Sequence, residues 1–232
     1  MEKGKYLSDV LRRRMHEDGK RFWAGDNISD YVRDTDIPFL IDEATEAFET
    51  VLDRLLIDRE TDPNSQGTAR RLAKMYFTEI MGGRYDPPPN CTAFPNHSDD
   101  RYDGILVVRS EIRSMCSHHH QPVVGVAYIG ILAAEKLIGL SKYTRIAQWC
   151  SRRGTLQEEL CNDIAREIMR ATDSKDVGVY IQATHGCCEN RGIRAHSSLT
   201  QTTVLHGAFR TDPAVKKEFT DNIKLQQDFA PR

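Results

Sequence analysis

From Pro38 to about Ile57 the apolar positions Ile41, Ala44, Ala47, Phe48, Val51, Leu52 and Leu55 recur every three or four residues. That spacing predicts an amphipathic helix with one buried face. Asp62-Pro63-Asn64-Ser65-Gln66-Gly67 reads as a turn. Thr68 is placed to cap a second helix through Leu72, Met75, Tyr76 and Ile80, ending at Gly82-Gly83, so residues 37–86 form a predicted helical hairpin. Upstream, residues 1–36 are polar and charged, with the run Arg12-Arg13-Arg14 and the pair Phe22-Trp23. They are expected to form an amino-terminal arm whose charges are a solvated face, not a binding patch.

Beyond Pro87-Pro88-Pro89 a polar connection runs to residue 103, and the pattern then changes. Gly104–Ile112 and Val123–Ile131 are rich in β-branched residues and read as strands, with Pro122 at an edge or entry position. Leu140–Trp149 and Leu156–Ala171 return to helical spacing, separated by Ser151-Arg152-Arg153-Gly154. Val177–Cys187 and Thr200–Phe209 read as strands again. Strand, strand, helices, strand, strand predicts an α+β domain over 104–232, an antiparallel sheet with helices packed on one face.

Composition narrows the class. The 232 residues, 39% hydrophobic, suffice for one substantial core without disulfide staples. A net charge of −2 gives no general reason to expect nucleic-acid binding, while local basic groups can still hold a phosphorylated small molecule. Met1-Glu2-Lys3-Gly4-Lys5 lacks the apolar core of a secretory signal, and no apolar run approaches membrane-spanning length. A cytoplasmic location without membrane attachment is expected. In a reducing compartment the six cysteines read as ligands or buried thiols, with Cys91, Cys150 and Cys161 as bystanders and the neighbours Cys187 and Cys188 unbridged.

Two remote clusters carry the chemistry: Cys116-Ser117-His118-His119-His120 and His185-Gly186-Cys187-Cys188. Thiolate and imidazole from two segments can close around one tetrahedral metal ion, for which zinc is the natural occupant. On a strand, alternate residues share a face, so His185 and Cys187 are expected to point one way and Cys188 the other. Cys187 is therefore the chosen thiolate. The first cluster falls in a turn, where alternation fails, and spacing leaves His118, His119 and His120 as equal candidates.

The chain resembles the GTP cyclohydrolase I family at Cys116-x-His118-His119, at Ile138-Gly139-Leu140-Ser141-Lys142-Tyr143-Thr144-Arg145-Ile146, at Leu156-Gln157-Glu158, at His185-Gly186-Cys187 and at Arg191-Gly192-Ile193-Arg194. Thr68-Ala69-Arg70-Arg71-Leu72-Ala73-Lys74-Met75-Tyr76 is similar to the helix before that family's catalytic domain, so the likeness spans about Ile41 to Phe209. It implies the tunnelling fold and assembly into a ring, a homodecamer, with active sites between subunits. It further implies zinc on Cys116, His119 and Cys187, with water at the fourth position. His118 and His185 are the implied proton-transfer groups, and Ser141 stands near the ribose. Glu158, with Gln157 beside it, would face the guanine, because two acceptor oxygens match its N1–H and 2-amino donors. Arg191, Lys142 and Arg145, with Arg71 and Lys74 as further members, would hold the triphosphate. The implied reaction converts GTP to 7,8-dihydroneopterin triphosphate and formate.

Ser117, His120, Cys188 and Ala195 depart from the family pattern, where an acidic, an apolar or aromatic, a bulkier apolar and an aspartate residue are usual. These departures lie near the chemistry and point to alternatives: a relative acting on another guanine nucleotide such as dGTP, or one feeding deazapurine synthesis. A same-fold nitrile oxidoreductase would leave the Cys-x-His-His element and the basic set unexplained. A catalytically silent zinc and nucleotide-binding protein is the remaining alternative.

Overall fold

A computed structural model describes residues 6–96 and 101–229. The chain divides into two compact units, Met1–Pro87 and Pro88–Arg232. Among the described residues no helix is long and apolar enough to cross a membrane.

In the first unit, α1 (Leu7–Glu17) lays Leu11 and Met15 into a small core with Ile28, Val32 and Leu40. Its amino-terminal N–H groups at Leu7 and Ser8 donate to the Glu43 carboxylate, which meets the positive end of the helix. The expected amphipathic helix is α2 (Ile37–Arg54), with Pro38 in its first turn, where a missing N–H costs nothing. The second helix differs from expectation. Gly67, at φ +71°, takes the N-cap position, Thr68 is already helical, and α3 (Thr68–Lys74) widens into a π-helical turn over Met75–Ile80 before α4 (Gly82–Tyr85).

The second unit contains a short strand inside the expected connection: β1 (Ala93–Pro95), which pairs with β4 (Lys136–Ile138). Residues 97–100 of that connection lie outside the described residues. The main sheet is antiparallel, in the order β2 (Ile105–Met115), β3 (Pro122–Leu132), β5 (Val177–His185), β6 (Thr200–Leu205). Toward their turn β2 runs three residues and β3 one residue further than β-branched content suggested, pairing as far as Met115 with Pro122. Pro122 is the first residue of its strand, a position that a residue without an N–H tolerates.

Helices α5 (Leu140–Ser151) and α6 (Gln157–Thr172) cover one face of this sheet, as expected. Ile146, Ala147, Leu160, Ile164 and Ile168 interlock there with Ile112, Ala127, Ile129, Val179 and Ile181, all buried. The strand predicted through Cys187 stops at His185, and Gly186–Glu189 coils into the helical turn α7. The strand predicted through Phe209 stops at Leu205. Gly207, at φ +55°, then turns the chain into α8 (Ala208–Thr211) and α9 (Pro213–Phe229), whose Phe209, Phe219 and Ile223 pack on the opposite face of the sheet.

Candidate active site

The ends of β2, β3 and β5 and the start of α6 converge at one end of the sheet. Met115 pairs with Pro122, and Val123 pairs with His185. The Thr155 N–H donates to the Met115 carbonyl at 3.1 Å, tying the loop before α6 to the end of β2. The Cys-His cluster closes the β2–β3 hairpin. The Cys116 N–H donates to Gln121 O, the His120 N–H donates to Cys116 O, both at 2.9 Å, and His120 takes a left-handed φ of +51°. This tight closure buries Cys116 at 4% exposure and leaves His118, His119 and His120 exposed.

Alternation along a strand does not bring Cys187 here, because α7 intervenes; the helical turn does. Its thiol lies 4.0 Å from Cys188 Sγ, and Cys116 is near enough to oppose its ionisation. Burial, then the neighbouring Cys116 and Cys188, push the Cys187 thiol up to about 11. A thiol that resists ionisation beside two others is a donor set that a soft divalent cation stabilises as thiolate.

His119 is not gathered with them. Arg191 Nη1 donates to its Nε2 at 3.0 Å, and a neutral imidazole has one lone pair, so bonding to Arg191 and binding a metal through that nitrogen are alternatives. Among the described residues no group of three His, Cys, Asp or Glu side chains is close enough to hold a metal ion. Of the expected triad Cys116, His119 and Cys187, two members meet.

His185 Nε2 lies 2.7 Å from the Gln157 side-chain oxygen. Burial depresses the His185 pKa below the ordinary imidazole value, opposed by the charges of Glu158 and Glu189. Glu158 is exposed on the first turn of α6. Gln157, expected beside the guanine, is buried instead, its amide committed to β5 and β6. The sequence reading missed Thr202, which contacts that amide; its place on a strand beside Ile181 was the available signal.

Ser141, Lys142 and Arg145 stand apart from this group. They occupy the start of α5, where Lys142 Nζ donates to Asn90 O at 2.9 Å and both cations act on Cys91. The thiol cluster lies toward the other end of α5, where Thr155 meets Met115, about 15 Å along the helix from Ser141 and about 9 Å from Arg145 at 1.5 Å per residue. Arg71 and Lys74 belong to the first unit, on α3, where Arg71 donates to Gln66 O, Asn64 O and Thr68 Oγ1.

Comparison with known proteins gives a consistent result. The GTP cyclohydrolase I family profile matches residues 44–224. A GTP cyclohydrolase 1 of Flavobacterium johnsoniae is 36% identical over 191 residues, covering 82% of this chain and 84% of its own. That of Aeromonas salmonicida is 37% identical over 166 residues, covering 71% and 75%, and that of Pseudoalteromonas translucida 36% identical over 168 residues, covering 70% and 90%.

Proposed function

Because the chain belongs to the GTP cyclohydrolase I family, we propose that it is a zinc-dependent enzyme converting GTP to 7,8-dihydroneopterin triphosphate with release of formate. The observation that carries the reading is the convergence of Cys116 and Cys187, from segments remote in sequence, at the end of the sheet where His185 meets Gln157. Zinc would be held by Cys116 and Cys187, with His119 joining them at the expense of its bond to Arg191. When bound, zinc supplies Lewis acidity, by which water becomes nucleophilic near neutral pH.

The chain's own residues bind, orient and move protons. One water adds at C8 of the guanine and opens the imidazole ring to a formamide, a second water cleaves that formamide so that the C8 carbon leaves as formate, and the later ring closure returns one water. Burial keeps His185 neutral at neutral pH, able to accept a proton as the ring is attacked and return it to a departing nitrogen; His118 is the second such group. The Glu158 carboxylate pairs with N1–H and the 2-amino group of the base. Arg191, released from His119, binds the triphosphate with Lys142 and Arg145. Ser141 lies by the ribose, which opens, rearranges and recloses as the six-membered pterin ring.

The test is to incubate zinc-replete protein with GTP, and in parallel with dGTP, following formate and the fluorescence of the oxidised pterin. Formate release from GTP that is lost on chelation is expected. Cys187→Ala should lower bound zinc to well under one ion per chain. A fully zinc-loaded protein that releases no formate from GTP would overturn the reading.

A further inference from the structure

We infer that Gln157 is a positioning residue that fixes His185 as its Nε2–H tautomer, with the ring's lone pair on Nδ1. The inference rests on the proton-transfer role proposed for His185, but its first step is hydrogen-bond accounting alone. Gln157 is 3% exposed, at the first position of α6. Its amide nitrogen lies 3.3 Å from Ile181 O, 3.2 Å from Thr200 O and 3.1 Å from Thr202 Oγ1. Backbone carbonyls only accept, so the edge of the amide facing β5 and β6 must be the NH2 group. Turning the amide over would set its oxygen against two carbonyl oxygens in a buried place. The orientation is therefore dictated by the sheet.

The consequence passes to the histidine. The amide oxygen, 2.7 Å from His185 Nε2, has no proton to give, so the imidazole must donate. A neutral imidazole has one N–H, which places the lone pair on Nδ1. Ile181 and Thr202 are directly paired across β5 and β6, so the platform holding the amide is part of the sheet and does not follow ring movements. Nδ1 is then the one acceptor that the ring offers, while Nε2–H stays on Gln157. Gln157 thereby contributes no hydrogen bond to the guanine, and recognition of the base edge falls to Glu158.

The experiment uses zinc-loaded full-length protein labelled with ring-15N histidine, with spectra recorded above pH 8 and His185 assigned by loss of its signals in His185→Gln. The expected result is a pyrrole-like Nε2 and a pyridine-like Nδ1. The reverse tautomer in the wild-type protein overturns the inference whatever the variants do. Gln157→Met, close in volume but without an amide, should show both tautomers. It should also lose roughly ten-fold or more in kcat with little change in KM. A raised KM at unchanged kcat would identify Gln157 as a substrate contact and overturn the inference. Wild-type protein that has the expected tautomer and releases no formate would remove the proposed reaction while supporting the tautomer assignment.

Discussion

The thiols of this chain are separated by their surroundings. Cys150 and Cys161 are buried between the helices and the sheet, where burial pushes them up to about 12 and about 11, so they are inert toward metals and electrophiles at neutral pH. Cys187 is raised as well, but thiol neighbours contribute and it is only half-buried. Cys150 yields a pH prediction. Below pH 9 its proton is held in folded and unfolded chains alike. Between about 9 and 12 only the unfolded chain releases it, so stability falls as pH rises, by on the order of 4 kcal/mol over three units. Urea unfolding midpoints from pH 8 to 10.5 should decline, and the decline should be shallower in Cys150→Ala. Equal slopes for both proteins would refute the buried-thiol account. At this scale the residue types at the site were legible in the sequence. Their partners were not: the bonds from Arg191 to His119 and from His185 to Gln157 join residues that only the fold brings together.

Elements were read from periodicity, and periodicity failed where small residues carried the information. The four main strands and the helices α5 and α6 of the second unit were visible in β-branched runs and three-four spacing, while α9 was not. The second covered face of the sheet was not, because its seat is built from glycines. Gly130 and Gly178 face each other across β3 and β5, and a Cβ on Gly130 would stand 2.6 Å from Phe219 and 2.9 Å from Phe209. The missing side chains make the hollow into which both rings pack, 5.2 Å apart and perpendicular. Strand-interior glycine is thus the signal that a helix approaches this face. Phe219→Ala should destabilise the protein by about 3–5 kcal/mol through the cavity it leaves. Gly130→Ala should cost about 1–3 kcal/mol by overpacking. Chemical denaturation measures both, and changes under about 0.5 kcal/mol would show that α9 is not seated by these rings. The early end of β5 has the same origin. Valine-rich sequence continues the strand on paper, but Gly186 lies tight against Pro122, and the chain coils there.

For the whole molecule, the distribution of the expected site residues bears on assembly. Cys116, Cys187, His185 and Gln157 gather at one end of the sheet, while Ser141, Lys142 and Arg145 sit toward the start of α5, about 9 to 15 Å away along the helix. The proton-transfer and base-facing residues thus lie at one place and the implied phosphate residues Lys142 and Arg145 at another, and a site shared between two subunits would bring two such places together. The outer strands β2 and β6 also end the four-stranded sheet on either side, and among the described residues neither pairs further. Open edges of this kind call for cover by another chain. Both observations agree with the ring implied by the family likeness, in which one subunit's α5 would meet another's thiol cluster. Sedimentation should give a particle ten times the 26.4 kDa chain. A sharper test uses two variants, Lys142→Ala and Cys187→Ala, each expected to be nearly inactive alone. If each site draws one residue from each of two subunits, random mixing by equal co-expression leaves about a quarter of the sites with both residues intact, and that share of wild-type activity should return. If every site is built within a single chain, no mixed assembly contains an intact one, and activity should stay at the level of the separate variants.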